Sequence, residues 1–509
     1  MIGDTVLSNP ICWGQFRLMG GARRVGMWTG AYAVIAAATF GVACRFAENL
    51  TVAQVADYSL YFVGFAQLIL ILPIWGNRIY KAVWTDINGK MMESHRLSPT
   101  TGSSAVVGYM IGPGLQVACL CMVNLVAGIV LCSLSGKNMT AWLAGHVYIL
   151  FLAVFAWSST VLASLCVGKA AGAITALFVV LLIGAWRVVE FVPGLGLICG
   201  TEMIGYCTRV AQGGNPGGLP AGAGLSLVVQ ILVILLWMRG AAGKFERPDL
   251  PALSTEWASL AYAGWLVVAL LGLARAEELR LPLPLVGFAA EAGWQIVATL
   301  IVSLLFVILP LRSAAVESQG WLQQHRDLAG DKPSSPEMVA LLLALTTVIM
   351  IASVPVWLSS RSSSASVTWP AVRETLIWTT ASVVLTYVSV AAMYRAACAL
   401  RWKKVDSPVM WFVFVVWILL PLGDGVLQAY REAATPGYVA EPTALTACSP
   451  AGGLILAWND EPLFLWEGLV FQAAVCLGLF IWQRRAVRAV RARRVLGGRQ
   501  TSGGVHQGA

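Results

Sequence analysis

The stretch TDINGKMMESHRLSPTTGSSAVVGYMIGPG, Thr85 to Gly114, leads from one strongly apolar run into the next. Read from a little upstream, IYKAVWTDINGKMMESHRL sets Ile79, Val83, Ile87 and Met91 at helical spacing. Tyr80, Lys81, Lys90, Glu93 and Arg96 fall between them. Gly89 is expected to break or bend this helix, and Ser98-Pro99 to end it, because a proline drives the residue before it out of helical geometry. The result is an amphipathic helix with one face on a bilayer and one face outward. That outward face either meets a partner or merely joins two spans.

The runs on either side set the class. Hydrophobic residues are 58% of the 509-residue chain and charged residues 12%, with a mean hydropathy of +0.75. A soluble domain carries roughly 25% charge, so the chain belongs in a membrane. Its apolar runs have helix length rather than alternating strand length, which excludes a barrel. Twelve spans are expected: 26–44, 58–76, 104–133, 142–166, 173–191, 222–239, 258–275, 291–311, 338–358, 372–399, 408–430 and 462–482.

Alternate connections hold the N-terminal residues, 77–103, 167–172, 239–257, 312–337, 400–407 and the tail from 483. Together they carry 24 of the 34 Lys and Arg. Positive charge marks the cytoplasmic side, so both termini are expected inside. The net charge of +9 is therefore a topology signal and does not point to nucleic acid. The basic tail from Arg484 to Arg499 reads as a stop anchor on anionic lipid.

The connection lengths repeat across residue 240. Long inside links, 77–103 and 312–337, join spans 2–3 and 8–9. Short links follow, and long outside segments, 192–221 and 431–461, precede spans 6 and 12. The expected architecture is an all-α polytopic membrane protein with two parallel six-helix repeats. Residues 1–240 form the first unit with an N-terminal amphipathic helix, and 241–509 the second with the tail. Such duplication is common among transporters.

The opening segment resembles the permease subunits of ABC-type exporters, in the class built on six-helix units. Members carry a polar or acidic turn, a Gly, a Ser/Thr-Pro about ten residues on, and a Gly at the start of span 3. Here these are Asp86, Gly89, Ser98-Pro99 and Gly108. The N-terminal SNPICWGQFRLMGGARR, Ser8 to Arg24, is similar to that class's opening, an Asn-Pro (Asn9-Pro10) before an amphipathic basic helix with Arg17, Arg23 and Arg24. Two departures stand out. The usual Glu-Arg before the Gly is Asp86-Ile87, and the usual Lys after the span-3 Gly is Tyr109. The second half matches mainly by layout, with SSPEM at Ser334–Met338 and WLQQHRDL at Trp321–Leu328. Major-facilitator proteins share the six-plus-six plan, but their loop between spans 2 and 3 is shorter.

The resemblance implies a permease in a bacterial plasma (inner) membrane. Separate ATP-binding cassette subunits would dock on 77–103 and on 312–337, with Asp86, Gly89, Lys90, Glu93, Arg96, Ser98, Pro99 and Gly108 forming the first coupling segment, and hold the ATP and Mg. The chain itself has no phosphate-binding GxxxxGK[ST] loop and no expected cofactor or metal. Either the fused halves form the whole pore, or two copies assemble as a homodimer. An ion-coupled carrier and an integral-membrane transferase or assembly factor are the alternatives. The transported substrate is not legible.

Polar groups near spans are functional candidates by default. Arg187 and Glu190 at the outer end of span 5, and Asp424 in span 11, form either a charged vestibule or local ion pairs. Gln116, Gln230 and Gln472 line a pathway or bond between helices. Cys199, Cys207 and Cys448 fall outside, where one disulfide is an option, and the other cysteines read as packing residues.

Overall fold

A computed structural model describes residues 9–18, 20–46, 49–168, 171–172, 192–211, 221–279, 299, 302–303, 306–324, 335–361, 369–400, 406–434, 443–449 and 465–502. Among the described residues the regular structure is helical throughout. The chain divides into two compact units, 1–190 with 194–252, and 191–193 with 253–509.

The first unit opens with α1 (Pro10–Leu18) and α2 (Gly21–Phe46), joined through Gly20 and Gly21, both at positive φ. A continuous helical rod then runs through α3 (Val52–Ile69), a π-helical turn at Leu70–Ile74 and α4 (Trp75–Asn88). Next come α5 (Met91–Leu97), α6 (Gly102–Ile111), a 3-10 turn at Gly112–Gly114 and α7 (Leu115–Ser135). The unit ends with α8 (Met139–Val167), two short helices α9 (Pro193–Cys199) and α10 (Thr201–Ala211), and α11 (Ala221–Glu246).

The second unit contains α12 (Thr255–Leu279), α13 (Ile308–Gln324), α14 (Pro336–Arg361) and α15 (Trp369–Ala399). These are followed by α16 (Asp406–Val413), a π-helical stretch Phe414–Leu419, α17 (Leu420–Ala434), α18 (Ala444–Ala447) and α19 (Leu465–Ser502).

Among the described residues, eight helices are long and apolar enough to cross a membrane: Gly21–Phe46, Val52–Asn88, Gly102–Ser135, Met139–Cys166, Ala221–Glu246, Thr255–Leu273, Ile377–Ala399 and Leu465–Ala489. They fall on expected spans 1, 2, 3, 4, 6, 7, 10 and 12. Expected span 5 and most of span 8 lie outside the described residues. Span 9 corresponds to α14, whose Pro336–Ile349 is a shorter apolar helix. Span 11 corresponds to the interrupted helix 406–434.

The helices outrun the apolar windows that announce them, because backbone hydrogen bonding continues into polar sequence. At about 1.5 Å per residue, the rod from Val52 to Asn88 is roughly 55 Å long, against a hydrocarbon core of about 30 Å. One end must therefore project. Its interior Pro73 sits in the π-turn, and in unit 2 Pro421 stands two residues after the end of the π-stretch 414–419. A proline lacks the N–H that an α-turn requires, and the wider turn absorbs the loss. The carbonyls loosened at the breaks in unit 1 find indole partners. Trp157 Nε1 donates to Ile71 O at 3.0 Å and Trp75 Nε1 to Met110 O at 2.8 Å, and the two rings stack at 3.9 Å. A Cβ on Gly114 would lie inside the Trp75 ring, so the close passage of α4 across the 3-10 turn requires glycine there.

The core of unit 1 gathers Ile79, Val83, Tyr109, Phe155, Val161 and Phe245. In unit 2, Tyr262, Thr347 and Tyr387 form a buried hydrogen-bonded trio with oxygen separations of 2.5 to 3.1 Å. None of the eleven cysteines is in a disulfide.

Candidate functional site: the polar junction around Asp86

Asn9 is the first member. Its Oδ1 accepts from the backbone N–H of Ile11 (3.0 Å) and Cys12 (3.1 Å), capping α1, with Pro10 at the helix start where its missing N–H costs nothing. Its Nδ2 donates to Ser104 O (2.6 Å) and Oγ (3.0 Å). One amide thus caps α1 and fastens it to the first turn of α6. The buried side of α1, Ile11, Cys12 and Gln15, lies across α6. A Cβ on Gly108 would sit 2.7 Å from Asn9 Oδ1, and one on Gly112 would sit 2.9 Å from the Cys12 backbone. Both glycines are there for close approach.

Gln15 Nε2 donates to Asp86 Oδ2 at 3.2 Å, and Tyr109 Oη donates to the same oxygen at 2.6 Å. His95 Nε2 lies 3.6 Å from it. Asp86 is 6% exposed, so this one carboxylate of α4 collects α1, α5 and α6. On the other side of α5, Arg96 Nε donates to Phe245 O at 2.5 Å, at the end of α11, and its guanidinium lies over the Phe245 ring. The next residue, Glu246, accepts from Gly102 N at 2.9 Å, capping α6 from a distance of 144 residues in sequence. An unmade bond to a buried group costs about 1–3 kcal/mol, so these contacts act together to hold five helices in register.

The expected break at Gly89 is present. Gly89 ends α4, and the left-handed residue of the turn is Lys90, with φ 56°. Helix α5 then turns Met92 inward, while Lys90, Met91, Glu93 and Leu97 face outward, Leu97 at 89% exposure. Ser98 is extended, as the following Pro99 requires, and its Oγ donates to His95 O at 2.6 Å.

The eight residues expected to meet a partner therefore divide in two. Asp86, Arg96, Ser98 and Gly108 are used inside the junction. Gly89, Lys90, Glu93 and Pro99 are exposed. Arg17, Arg23 and Arg24 are exposed, with Arg17 over the Trp13 ring at 5.1 Å.

The remaining candidates separate. Gln116 accepts from Arg78 at 2.9 Å. Gln230 Nε2 donates to Ile198 O at 3.0 Å, and Gln472 Nε2 to Ala447 O at 3.2 Å. Asp424 accepts from Thr443 N and Oγ1, both at 2.8 Å, and from Thr446 Oγ1 at 2.5 Å, capping α18. Arg187 and Glu190 lie outside the described residues.

Sequence reasoning missed Gln15, His95 and Glu246 as members of the junction, and in unit 2 the cluster of Glu337, Arg395 and Gln483. There Arg395 Nη1 lies 2.6 and 2.7 Å from the two Glu337 oxygens, and Gln483 Nε2 donates to Oε1 at 2.7 Å. Asp86 is the one junction member whose acidic character in an apolar context signalled it. Among the described residues no three His, Cys, Asp or Glu side chains meet as a metal site requires. No protein-family model, curated protein or solved structure matches this chain.

Proposed function

We propose that this chain is the membrane-spanning subunit of an ATP-driven exporter of the ABC class, built as twelve spans in two six-helix repeats within the inner membrane of a bacterium. The observation that carries the reading is the junction. A short exposed helix, α5, is joined through Asp86, Arg96 and Glu246 to α1, α4, α6 and α11, so a push on α5 is delivered to four other helices at once. A helix that merely joined two spans would need no such bracing. The two positions at which the sequence departs from the exporter pattern, Asp86 and Tyr109, bond to each other, so they act as a matched replacement.

The repeat has support of the same kind. In unit 1 the last helix, α11, reaches the start of α6 through Glu246. In unit 2 the last helix, α19, reaches the start of α14 through Gln483. The function that follows is transmission. An ATP-binding subunit docks on the exposed edge Lys90, Met91, Glu93 and Leu97, and the movement produced by ATP binding passes through the junction to the spans.

An ion-coupled carrier needs a buried carboxylate poised to exchange its ion. The buried carboxylates among the described residues are Asp86 and Asp424, and both serve as fixed acceptors between structural elements. The test is a gentle-detergent pull-down of the tagged native protein with co-purifying chains identified by mass spectrometry. An ATP-binding subunit is expected, and it is lost when Lys90, Glu93 and Leu97 are changed together to Ser. Absence of such a subunit under conditions that preserve known complexes overturns the proposal.

A further inference from the structure

At the end of unit 1 away from the Asp86 junction, α9 and α10 are joined by a turn at Gly200, which has φ +72°. The last two carbonyls of α9 are both taken by side chains. Gln230 Nε2, on α11, donates to Ile198 O at 3.0 Å, and Tyr148 Oη, on α8, donates to Cys199 O at 2.7 Å. A Cβ on Gly200 would lie 2.7 Å from both Gln230 Nε2 and the Tyr148 ring, so the turn is seated directly on the two side chains that grip it. Gln230 is fully buried.

Unit 2 repeats the arrangement with different residues. Its short helix α18 also precedes the last helix of the unit, and its C-terminal carbonyl, Ala447 O, accepts from Gln472 Nε2 on α19 at 3.2 Å. Ser382 Oγ, on α15, donates to Gln472 Oε1 at 2.7 Å and fixes the direction of the amide. A Cβ on Gly468 would clash with the Ala447 carbonyl, so α18 too is seated against the last helix. In each unit the grip comes from the same two spans, expected spans 4 and 6 in one and 10 and 12 in the other.

Helix C-termini leave carbonyls without intrahelical partners. Helix α18 is four residues long and is held at both ends by side chains, Asp424 at its first turn and Gln472 at its last carbonyl. We infer that Gln230 and Gln472 are latches, each holding a short movable helix against the last span of its own unit, and that releasing each opens the end of that unit where its short helix sits. The inference rests on the transport reading for its purpose, since an exporter needs an exit that closes behind its cargo. The latches themselves stand on the geometry alone.

The chain carries its own reporters. Cys199 ends α9 and Cys207 lies in α10, and Cys448 is the residue after α18. Burial pushes the Cys199 thiol up to about 11 and the Cys448 thiol upward, which keeps both in the unreactive protonated form near neutral pH. Gln230→Met and Gln472→Met preserve side-chain length and remove the donor.

The full chain, reconstituted in phosphatidylcholine nanodiscs, is exposed at pH 7.4 to a membrane-impermeant maleimide. Modified peptides are then quantified by mass spectrometry. Gln230→Met is expected to raise the labelling rate of Cys199 at least tenfold and leave Cys448 unchanged. Gln472→Met is expected to do the reverse. Cys121, buried in α7, is the control for global unfolding. The inference is overturned if neither cysteine speeds up, or if Cys121 speeds up equally. Because no ATP-binding subunit is present, failure here leaves the pull-down result standing, and failure of the pull-down leaves the latches standing.

Discussion

The two units tie their last helix to the start of a span by opposite means. Unit 1 uses a carboxylate on a backbone N–H, Glu246 to Gly102, and surrounds it with directional bonds centred on Asp86. Unit 2 uses an amide on a carboxylate, Gln483 to Glu337, and the same carboxylate takes an ion pair from Arg395 Nη1 on α15. Backbone bonds and glycine contacts fix position to a fraction of an ångström and fail when displaced. An ion pair tolerates small displacement, because Coulomb attraction falls slowly with distance. The Arg395 and Glu337 side chains are 33% and 18% exposed, so solvent also screens their attraction. Under the coupling proposal, unit 1 is the part that transmits a displacement and unit 2 the part that holds together through one. Consistent with this, the exposed helix α5 belongs to unit 1. The loop residues 325–334 of unit 2, where the comparable link is expected, lie outside the described residues.

The sharpest way to break the contrast is to fill the glycine bed under α1. Gly108→Val puts a branched side chain where a single Cβ already meets Asn9 Oδ1 at 2.7 Å and Ile11 Cβ at 3.0 Å. Overpacking of this kind costs about 3 kcal/mol. It should appear as a loss of thermal stability in detergent of roughly 6–12 °C, taking about 2–4 °C per kcal/mol for a unit of this size. A Val at Gly26, where a Cβ meets nothing within 4 Å, is the matched control and should leave the midpoint within about 1 °C. Equal losses at the two positions would mean that α1 is not seated on α6.

Next in size is the carboxylate itself. Asp86→Leu leaves the Tyr109 hydroxyl and the Gln15 amide without their acceptor, and stranding buried donors costs about 2–3 kcal/mol. Asp86→Asn should recover part of the loss, because one amide oxygen can still accept. The order Leu below Asn below wild type, measured as denaturation midpoints in one detergent, is the expected outcome. Equal midpoints for Asn and Leu would remove the hydrogen bonds from the explanation and leave only charge.

How far these features could be read from the sequence differs between the units for the same reason. Composition and run length alone place the chain in a membrane, since every span must satisfy its backbone internally. The break at Gly89 and the stop at Ser98-Pro99 are local events and appear in the sequence as such. Partners far apart in the chain leave no such trace. Glu246 meets Gly102 across 144 residues, and Gln483 meets Glu337 across 146. Nothing in the spacing of either pair announces it. Gln230 and Gln472 were visible as polar residues inside apolar spans, but their shared partner type, the last carbonyl of a short helix, depends on how each unit folds. Lys90 was legible as a charged surface residue, whereas its left-handed backbone was not, because glycine next to it is the residue that ordinarily takes that conformation.

A salt titration separates the two chemistries more finely. Tyr109→Phe removes one buried bond to Asp86, worth about 1 kcal/mol, and that loss should be the same at 0.05 M and 1 M salt. Arg395→Gln combined with Glu337→Gln in a double-mutant cycle should give a coupling of about 1 kcal/mol at low salt, shrinking toward zero at 1 M as screening shortens to about 3 Å. A salt-independent coupling in unit 2 would mean that the pair acts through its geometry, and the contrast between the units would collapse.

The smallest effect on stability is expected at Lys90, and it bears most directly on function. A side chain in the left-handed region costs about 1–2 kcal/mol, while glycine gives back about 0.5–1 kcal/mol through its freer unfolded chain. Lys90→Gly should therefore raise stability by no more than about 1 kcal/mol, roughly 2–4 °C. Lys90 opens the outward edge that continues through Met91, Glu93 and Leu97. The coupling reading predicts that Lys90→Gly, though no less stable, retains less ATP-binding subunit in the pull-down than wild type does. Lys90→Arg, which keeps the strain and the charge, should retain it fully. If Lys90→Gly binds the subunit as well as wild type, the charge is idle, and the docking edge must be carried by the exposed apolar pair Met91 and Leu97, which Leu97→Ser alone would then abolish.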